Sequence, residues 1–264
     1  MYTVTYRGVD GSLWQLAGPH GGAQGVLLGS VDGLVGSASA STTTAPGRVG
    51  VVRTGVPVVP VMAGTVRVVI SGADATPRRA TPGVMRAWRR AWSHLVDGEL
   101  SISSSETSVV RCPVRLVDPL PPPGTDPFDH PGQRHIVELE VEAETGVWLG
   151  IPEIIAGTGD PVVVRNFGQL VGWPVVEWSG SGHSITAPGI DPLELPDTDR
   201  VARINTNPAT GTVITVDGEP DPDLWSQLRG RSFPVGVPPG GEAEWVFSTG
   251  TTATVTPRVL DPWR

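Results

Sequence analysis

The sequence predicts a mostly β protein: two β-sandwich-type domains, the first carrying one amphipathic helix. Three observations predict it. Glycine (34) and proline (27) are interleaved with Val-rich runs along the chain, which implies many turns and few long helices. Short stretches alternate apolar and polar residues, the period-2 signature of a strand with one buried face. A single stretch, around residues 82–97, carries helical spacing instead. A length of 264 residues accommodates two modest domains, each with its own core.

Residues 4–6, 12–16, 26–28, 49–53 and 65–70 read as strands, joined by Gly-rich loops at 18–25 and 33–47. The second loop is loaded with Ser and Thr, which bury little apolar surface to offset the entropy of ordering. The helix 82–97 follows, with Thr81 as N-cap, Pro82 as first helical residue and Gly98 just past the end. Met85, Trp88, Trp92 and Leu95 recur at spacings of three, four and three, forming one apolar stripe. Burying its two indoles stabilises by roughly a few kcal/mol at ~25 cal/mol/Å². Arg86, Arg89 and Arg90 lie off the stripe, on the face of a helix packed across a sandwich or against a neighbouring subunit. Residues 109–117 form the next strand and hold the single cysteine, Cys112, which reads as a buried structural thiol. Six prolines and no periodicity then mark 118–134 as a stiff spacer. The expected organisation is a first domain 1–118, a Pro-rich linker 119–135 and a second domain 136–264.

Beyond the linker, Val137, Leu139, Val141 and Ala143 alternate with Glu138, Glu140, Glu142 and Glu144. Paired carboxylates serve glycoside hydrolysis, but a row of like charges on one strand face fits a solvated or intersubunit surface. The Arg86, Arg89 and Arg90 cluster offers the complementary charge, within the chain or across an interface. Residues 162–166, 175–178, 183–187 and 193–195 continue the strand series, and closing hairpins run from Val201. Asp217-Gly218 ends the strand 213–217 with residues that tolerate positive φ. Pro238-Pro239-Gly240-Gly241 makes a corner before the strand 242–247.

All 19 basic residues are Arg, the imprint of GC-rich coding, and the net charge is −8. A negative chain is a poor general coat for nucleic acid, and no sequence-specific nucleic-acid binding is expected. Residues 18–25 lack the Lys and the strand–helix setting of a phosphate cradle. Residues 178–183 (WSGSGH) miss the G-x-S-x-G spacing of a nucleophile elbow. Asp126, Asp129, His130 and His135 match no zinc or calcium loop, and Pro127 and Pro131 sit among them as in an ordinary turn. No catalytic residue, cofactor or metal site is expected, and no enzyme activity. Nine Trp against four Phe and two Tyr raise a binding possibility: Trp173 and Trp178 are candidate sugar platforms, set against core or interface packing. The first residues lack the plan of a signal peptide, and no apolar run approaches the ~20 residues of a membrane helix. The chain is expected to stay soluble after synthesis in the cytoplasm.

Four segments together resemble the distal tail and related minor tail proteins of siphophages, particularly those infecting actinobacteria. They are VTYRGVDGSLWQLAGP at 4–19, TPGVMRAWRRAWSHLVDGELSISSSETSVVRCPVRLVD at 81–118, VVVRNFGQLVGWPVVEWSG at 162–180, and the closing hairpins from INTNPATGTVITVDG. The loop 33–47 and the acidic strand do not map onto the family pattern. The resemblance implies a homohexameric ring in the virion tail tip, joining the tail tube to the tip or baseplate around the DNA channel. It implies first domains around the channel and galectin- or jelly-roll-like second domains projecting outward. Expected partners are further copies of the chain, the tail tube protein, the tape-measure protein and a tail hub or tail-associated lysin. A ring closes through heterologous contacts, for which Arg86, Arg89, Arg90, Glu138, Glu140 and Glu142 are the candidate interface. The alternative is a carbohydrate-binding module for a host cell-surface glycan, using Trp173 or Trp178.

Overall fold

The structure is a computed structural model that describes residues 1–43, 52–105, 108–122, 133–208, 214–228, 231 and 235–264, with side chains of 40–43 and 52–57 set aside. The chain divides into two compact units, Met1–Leu149 with Val259–Arg264, and Gly150–Arg258.

The first unit contains β1 (Tyr2–Arg7), β2 (Leu13–Ala17), β3 (Val26–Gly33), β4 (Ser39–Thr43), β5 (Val52–Val58) and β6 (Met62–Ile70). A short 3-10 turn, Gly72–Asp74, leads to α1 (Thr81–Arg90), then β7 (Gly98–Ser104), β8 (Val110–Leu116), β9 (His135–Ala143) and β10 (Trp148–Leu149). The main antiparallel sheet runs β2-β1-β7-β8-β9-β6-β3, while β4 and β5 pair with each other in a separate ribbon. Alternation sets the buried face of each strand: Val4 and Tyr6 in β1, Leu100 and Ile102 in β7, Leu139 and Val141 in β9. These side chains share one core with Val84, Met85 and Trp88 of α1.

The second unit holds β11 (Glu153–Ala156), β12 (Pro161–Arg165), β13 (Val175–Gly180), β14 (Ser184–Thr186), β15 (Leu193–Glu194), β16 (Thr198–Asn205), β17 (Ile214–Val216) and β18 (Glu219–Pro220). After α2 (Pro222–Gln227) come β19 (Glu242–Phe247) and β20 (Thr252–Val255); the last strand, β21 (Arg258–Val259), lies where the chain returns to the first unit and pairs with β10. Two sheets, β11-β20-β13-β16-β17-β18 and β12-β19-β14-β15, enclose a second core. Val176, Trp178 and Ile204 from one sheet meet Ile185, Trp245 and Phe247 from the other, the layering of a β-sandwich.

Four expectations need correction. The domain boundary does not fall in the Pro-rich segment, whose residues 123–132 lie outside the described residues. β9 pairs with β6 along its whole length, from Met62↔Ala143 to Ile70↔His135, and with β8 through Leu116↔Val141. The acidic strand therefore belongs to the first unit, and the chain leaves that unit at Leu149. It returns at Val259, where the Tyr2 hydroxyl donates to the Trp263 carbonyl and the two rings meet edge-on at 5.3 Å.

The helix is also shorter than its apolar stripe. It ends at Arg90, and Leu95 is 77% exposed. Beyond it the Ser93 hydroxyl accepts from the N–H groups of Leu95 and Val96, while its carbonyl accepts from Leu116 N–H at 2.9 Å. That local turn competes with another helical turn. The N-cap is Ala80, without a side-chain cap. Thr81 is the first helical residue, and its Oγ1 accepts from Gly72 N–H at 3.0 Å. Finally, the loop expected at 33–47 contains β4.

Cys112 is fully buried in β8, and burial pushes its thiol up to about 12, with Asp97 adding to the effect. Because the thiolate is the reactive species, iodoacetamide at pH 8 is expected to leave the native protein unlabelled. The unfolded chain should label fully within the same time. Rapid native labelling, read by intact mass, would place the thiol outside the core.

Candidate interaction surfaces

The residues proposed to carry contacts sit on two elements of the first unit. The inner side of α1 is an aromatic lock. Tyr6 stacks on Trp92 at 3.9 Å with an interplanar angle of 9°, and its hydroxyl donates to Ala91 O at 2.9 Å. Trp88 stands edge-on to Trp14, Trp92 and Tyr6 at 5.2, 5.5 and 5.8 Å. This fixes which side of the helix faces out. Arg86 and Arg90 are exposed, whereas Arg89 is half-buried and donates to the carbonyls of Pro121 at 2.6 Å and Leu120 at 3.0 Å. Arg89 thus holds the segment after β8 and is not a free cation for a partner.

On β9, Glu138 and Glu140 are exposed and Glu142 is half-buried. Their pairing follows from register, which places Arg67 opposite Glu138, Thr65 opposite Glu140 and Arg115 opposite Glu142. Arg67 Nε lies 3.4 Å from Glu138, and Arg115 Nε donates to Glu142 at 3.0 Å. Arg115 also donates to Glu144 and approaches Asp97 at 3.9 Å. The hydrogen bond from Arg115, reinforced by its charge, holds the Glu144 carboxyl below its ordinary value. Such exposed pairs each contribute only ~0–1 kcal/mol. Glu138 and Glu142 therefore have arginine partners on their own sheet.

The sugar-platform candidates are not open indoles. Trp178 is 2% exposed, and its Nε1 donates to Pro196 O at 2.8 Å, so neither ring face is available for stacking. Its period-2 relation to buried Val176 carried that signal in the sequence. Trp173 is half-buried beside Gly236, where even a Cβ would come within 2.8 Å of its ring. The exposed indole of this unit is Trp225 on α2, which the sequence reading missed. Asp221, whose side chain accepts from Leu224 N–H at 2.9 Å, and Pro222 are the cap signals that mark that helix.

The segment Asn166-Phe167-Gly168 is a built loop. Buried Asn166 donates from Nδ2 to the carbonyls of Leu170, Val237 and Pro238, at 2.8, 3.0 and 3.2 Å, and its Oδ1 accepts from Gly168 N–H at 2.9 Å. Phe167 between them is 78% exposed. Gly168 has no room for a side chain, since a Cβ would lie 2.6 Å from Arg258 N. Near residues 178–183, His183 meets Ser248 rather than Ser181: Nδ1 lies 3.5 Å from Ser248 Oγ, and that oxygen accepts from Ser184 N–H at 2.9 Å. Asp126, Asp129 and His130 lie outside the described residues, and among the described residues no group of three or more acidic, His or Cys side chains is arranged to hold a metal. No helix among the described residues is long and apolar enough to cross a membrane.

The sequence matches no protein-family model and no curated protein. The fold is similar to the crystal structure of the SPP1 Dit protein (gp 19.1), described as a paradigm of the hub adsorption apparatus in phages infecting Gram-positive bacteria. The TM-score is 0.59 at 15% identity, covering 98% of this chain and 99% of that one. Structures of the phage P2 baseplate in its activated conformation, with Ca and with Sr, align at TM-score 0.48 and 9% identity over 97% of this chain and 98% of theirs. The SPP1 match extends over both units. The chain has the fold of a phage distal tail hub protein.

Proposed function

We propose that this protein is a structural component of a siphophage tail tip, forming a closed homohexameric ring that joins the tail tube to the tip or baseplate around the DNA channel. The observation that carries this reading is the end-to-end match of both units to one hub protein, with no part of either chain left over beyond about two per cent. Its role is geometric rather than catalytic, and its site of action is the virion. The tail tube protein, the tape-measure protein and a tail hub or tail-associated lysin are its neighbours.

Ring closure uses a heterologous contact, one patch on each copy against a different patch on the next. In this reading Arg86 and Arg90, exposed on α1, approach the acidic face of β9 in the next copy, where Glu140 has Thr65 rather than an arginine opposite it. Arg89, Glu138 and Glu142 support that contact from within their own copy. Native mass spectrometry with negative-stain imaging tests both levels. The expected result is rings of six copies, which fall to smaller species when Arg86→Glu and Arg90→Glu are combined. Intact rings in the double variant would remove the charge contact but leave the ring. A monomer at all concentrations, alone and with the tail tube protein, would overturn the ring itself.

A further inference from the structure

β19 is closed along one edge and open along part of the other. Toward β12 its bonds continue without a gap: Asn166 N–H reaches Gly241 O and Gly159 N–H reaches Phe247 O, both at 2.9 Å. Antiparallel strands alternate the direction of their backbone groups. Glu242, Glu244 and Val246 therefore direct theirs to the opposite edge, where Ser248 N–H already reaches Ser184 O at 3.1 Å. There β14 covers only Phe247 and Val246, opposite Ile185 and Thr186. Past Thr186 the chain turns away through Pro188, which has no N–H, and Gly189 at φ +73°, with Ile190 N–H closing on Ala187 O at 3.2 Å. Among the described residues, the N–H and C=O groups of Glu242 and Glu244 have no strand beside them.

Those groups face a cleft of about 720 Å³. Its apolar walls include Pro188, Ile190, Val235 and Ala243, and Asp191, Glu242 and Glu244 bring three carboxylates to it. Among the described residues no arginine lines it, although Arg165 reaches Glu242 at 3.4 Å from the β12 side. An open strand edge demands backbone donors and acceptors, and the carboxylates demand positive charge.

We propose that this edge receives an extended basic segment of a partner protein by strand addition. The exposed stretch from Glu242 to Trp245 spans about 13 Å at ~3.3 Å per residue, which takes three or four residues of a guest strand. Arginine or lysine at alternate positions meets Asp191, Glu242 and Glu244, while small apolar residues between them rest on Ile190 and Val235. This site does not depend on ring formation and holds for a monomer as well.

The test is backbone amide hydrogen exchange by NMR on the intact chain, with the probe peptide acetyl-Arg-Val-Arg-Val-Arg-amide. In the free protein the Glu242 and Glu244 amides are expected to exchange at least tenfold faster than those of Ala243 and Trp245, which bond toward β12. Saturating peptide should slow the two exposed amides at least fivefold. The same peptide N-methylated at every residue keeps its charge but should give no such slowing, and Glu244→Arg should weaken binding at least tenfold. Slow exchange at Glu242 and Glu244 in the free protein would overturn the proposal. So would equal slowing by the N-methylated peptide, or no slowing by either.

Discussion

Trp88→Ala is expected to destabilise the first unit by about 3–5 kcal/mol, the range for removing a fully buried indole. Trp88 is 0% exposed and stands edge-on to three other aromatic rings, so truncation opens a cavity lined by rigid groups that collapse poorly. The same residue joins α1 to the sheet through Tyr6 and Trp14, so the loss also frees the helix that carries Arg86 and Arg90. Trp88→Phe separates volume from hydrogen bonding. The Trp88 Nε1 is buried without a partner, so phenylalanine removes an unpaired donor while keeping much of the packing. Its cost should stay below about 2 kcal/mol. Urea unfolding followed by circular dichroism decides the matter. A loss under about 1 kcal/mol for the alanine variant would show that the aromatic lock does not anchor α1.

Asn166→Ala is expected to cost about 3–4 kcal/mol. The side chain bonds three carbonyls and one N–H; the Val237 and Pro238 carbonyls also accept from Gly172 and Gly241 N–H, so truncation strands chiefly the Leu170 carbonyl and the Gly168 N–H, at ~1–3 kcal/mol for each group left unpaired. The shape-matched Asn166→Asp sharpens the argument, because it turns a carboxylate oxygen toward three carbonyl oxygens. That arrangement raises the folded carboxyl above its unfolded value, since only the protonated acid can donate. Protons then bind more tightly to the folded state, and the deficit of the Asp variant should shrink as pH falls from 7 toward 4. Equal urea midpoints for Asn166, Ala and Asp at pH 7 would mean that the loop holds its shape without this side chain.

Much of the sandwich was legible because strands with one wet face print a period of two. The residues 242–247 read as a strand are the observed β19, and 109–117 lies within one residue of β8 at each end. What stayed hidden was set by partners distant in sequence. The helix ran short because Leu116 claims the Ser93 carbonyl, a contact no local pattern announces. Arg67 and Arg115 were not read as partners of the acidic strand because cross-strand register depends on which strands become neighbours. Trp178 is the opposite case: it lies two residues from buried Val176 in a β-strand, a spacing that favours the core, yet the sequence reading offered it as a sugar platform. Asn166 carried only the turn signal of an N-x-G sequence, with nothing to reveal that Val237 and Pro238 would gather around its amide.

The first unit is interrupted, not followed, by the second: it is left at Leu149 and resumed at Val259. The two crossings are stitched together, since Gly150 N–H donates to Pro257 O at 2.8 Å. Gly150–Arg258 is therefore a cassette whose ends already lie side by side. Insertions of this kind are exchanged or excised with little strain on the host fold, because the gap left behind is short enough for a few residues to bridge. Selection can then rewrite the inserted sandwich while the sheet around α1 keeps its sequence constraints, leaving one frame able to present different modules.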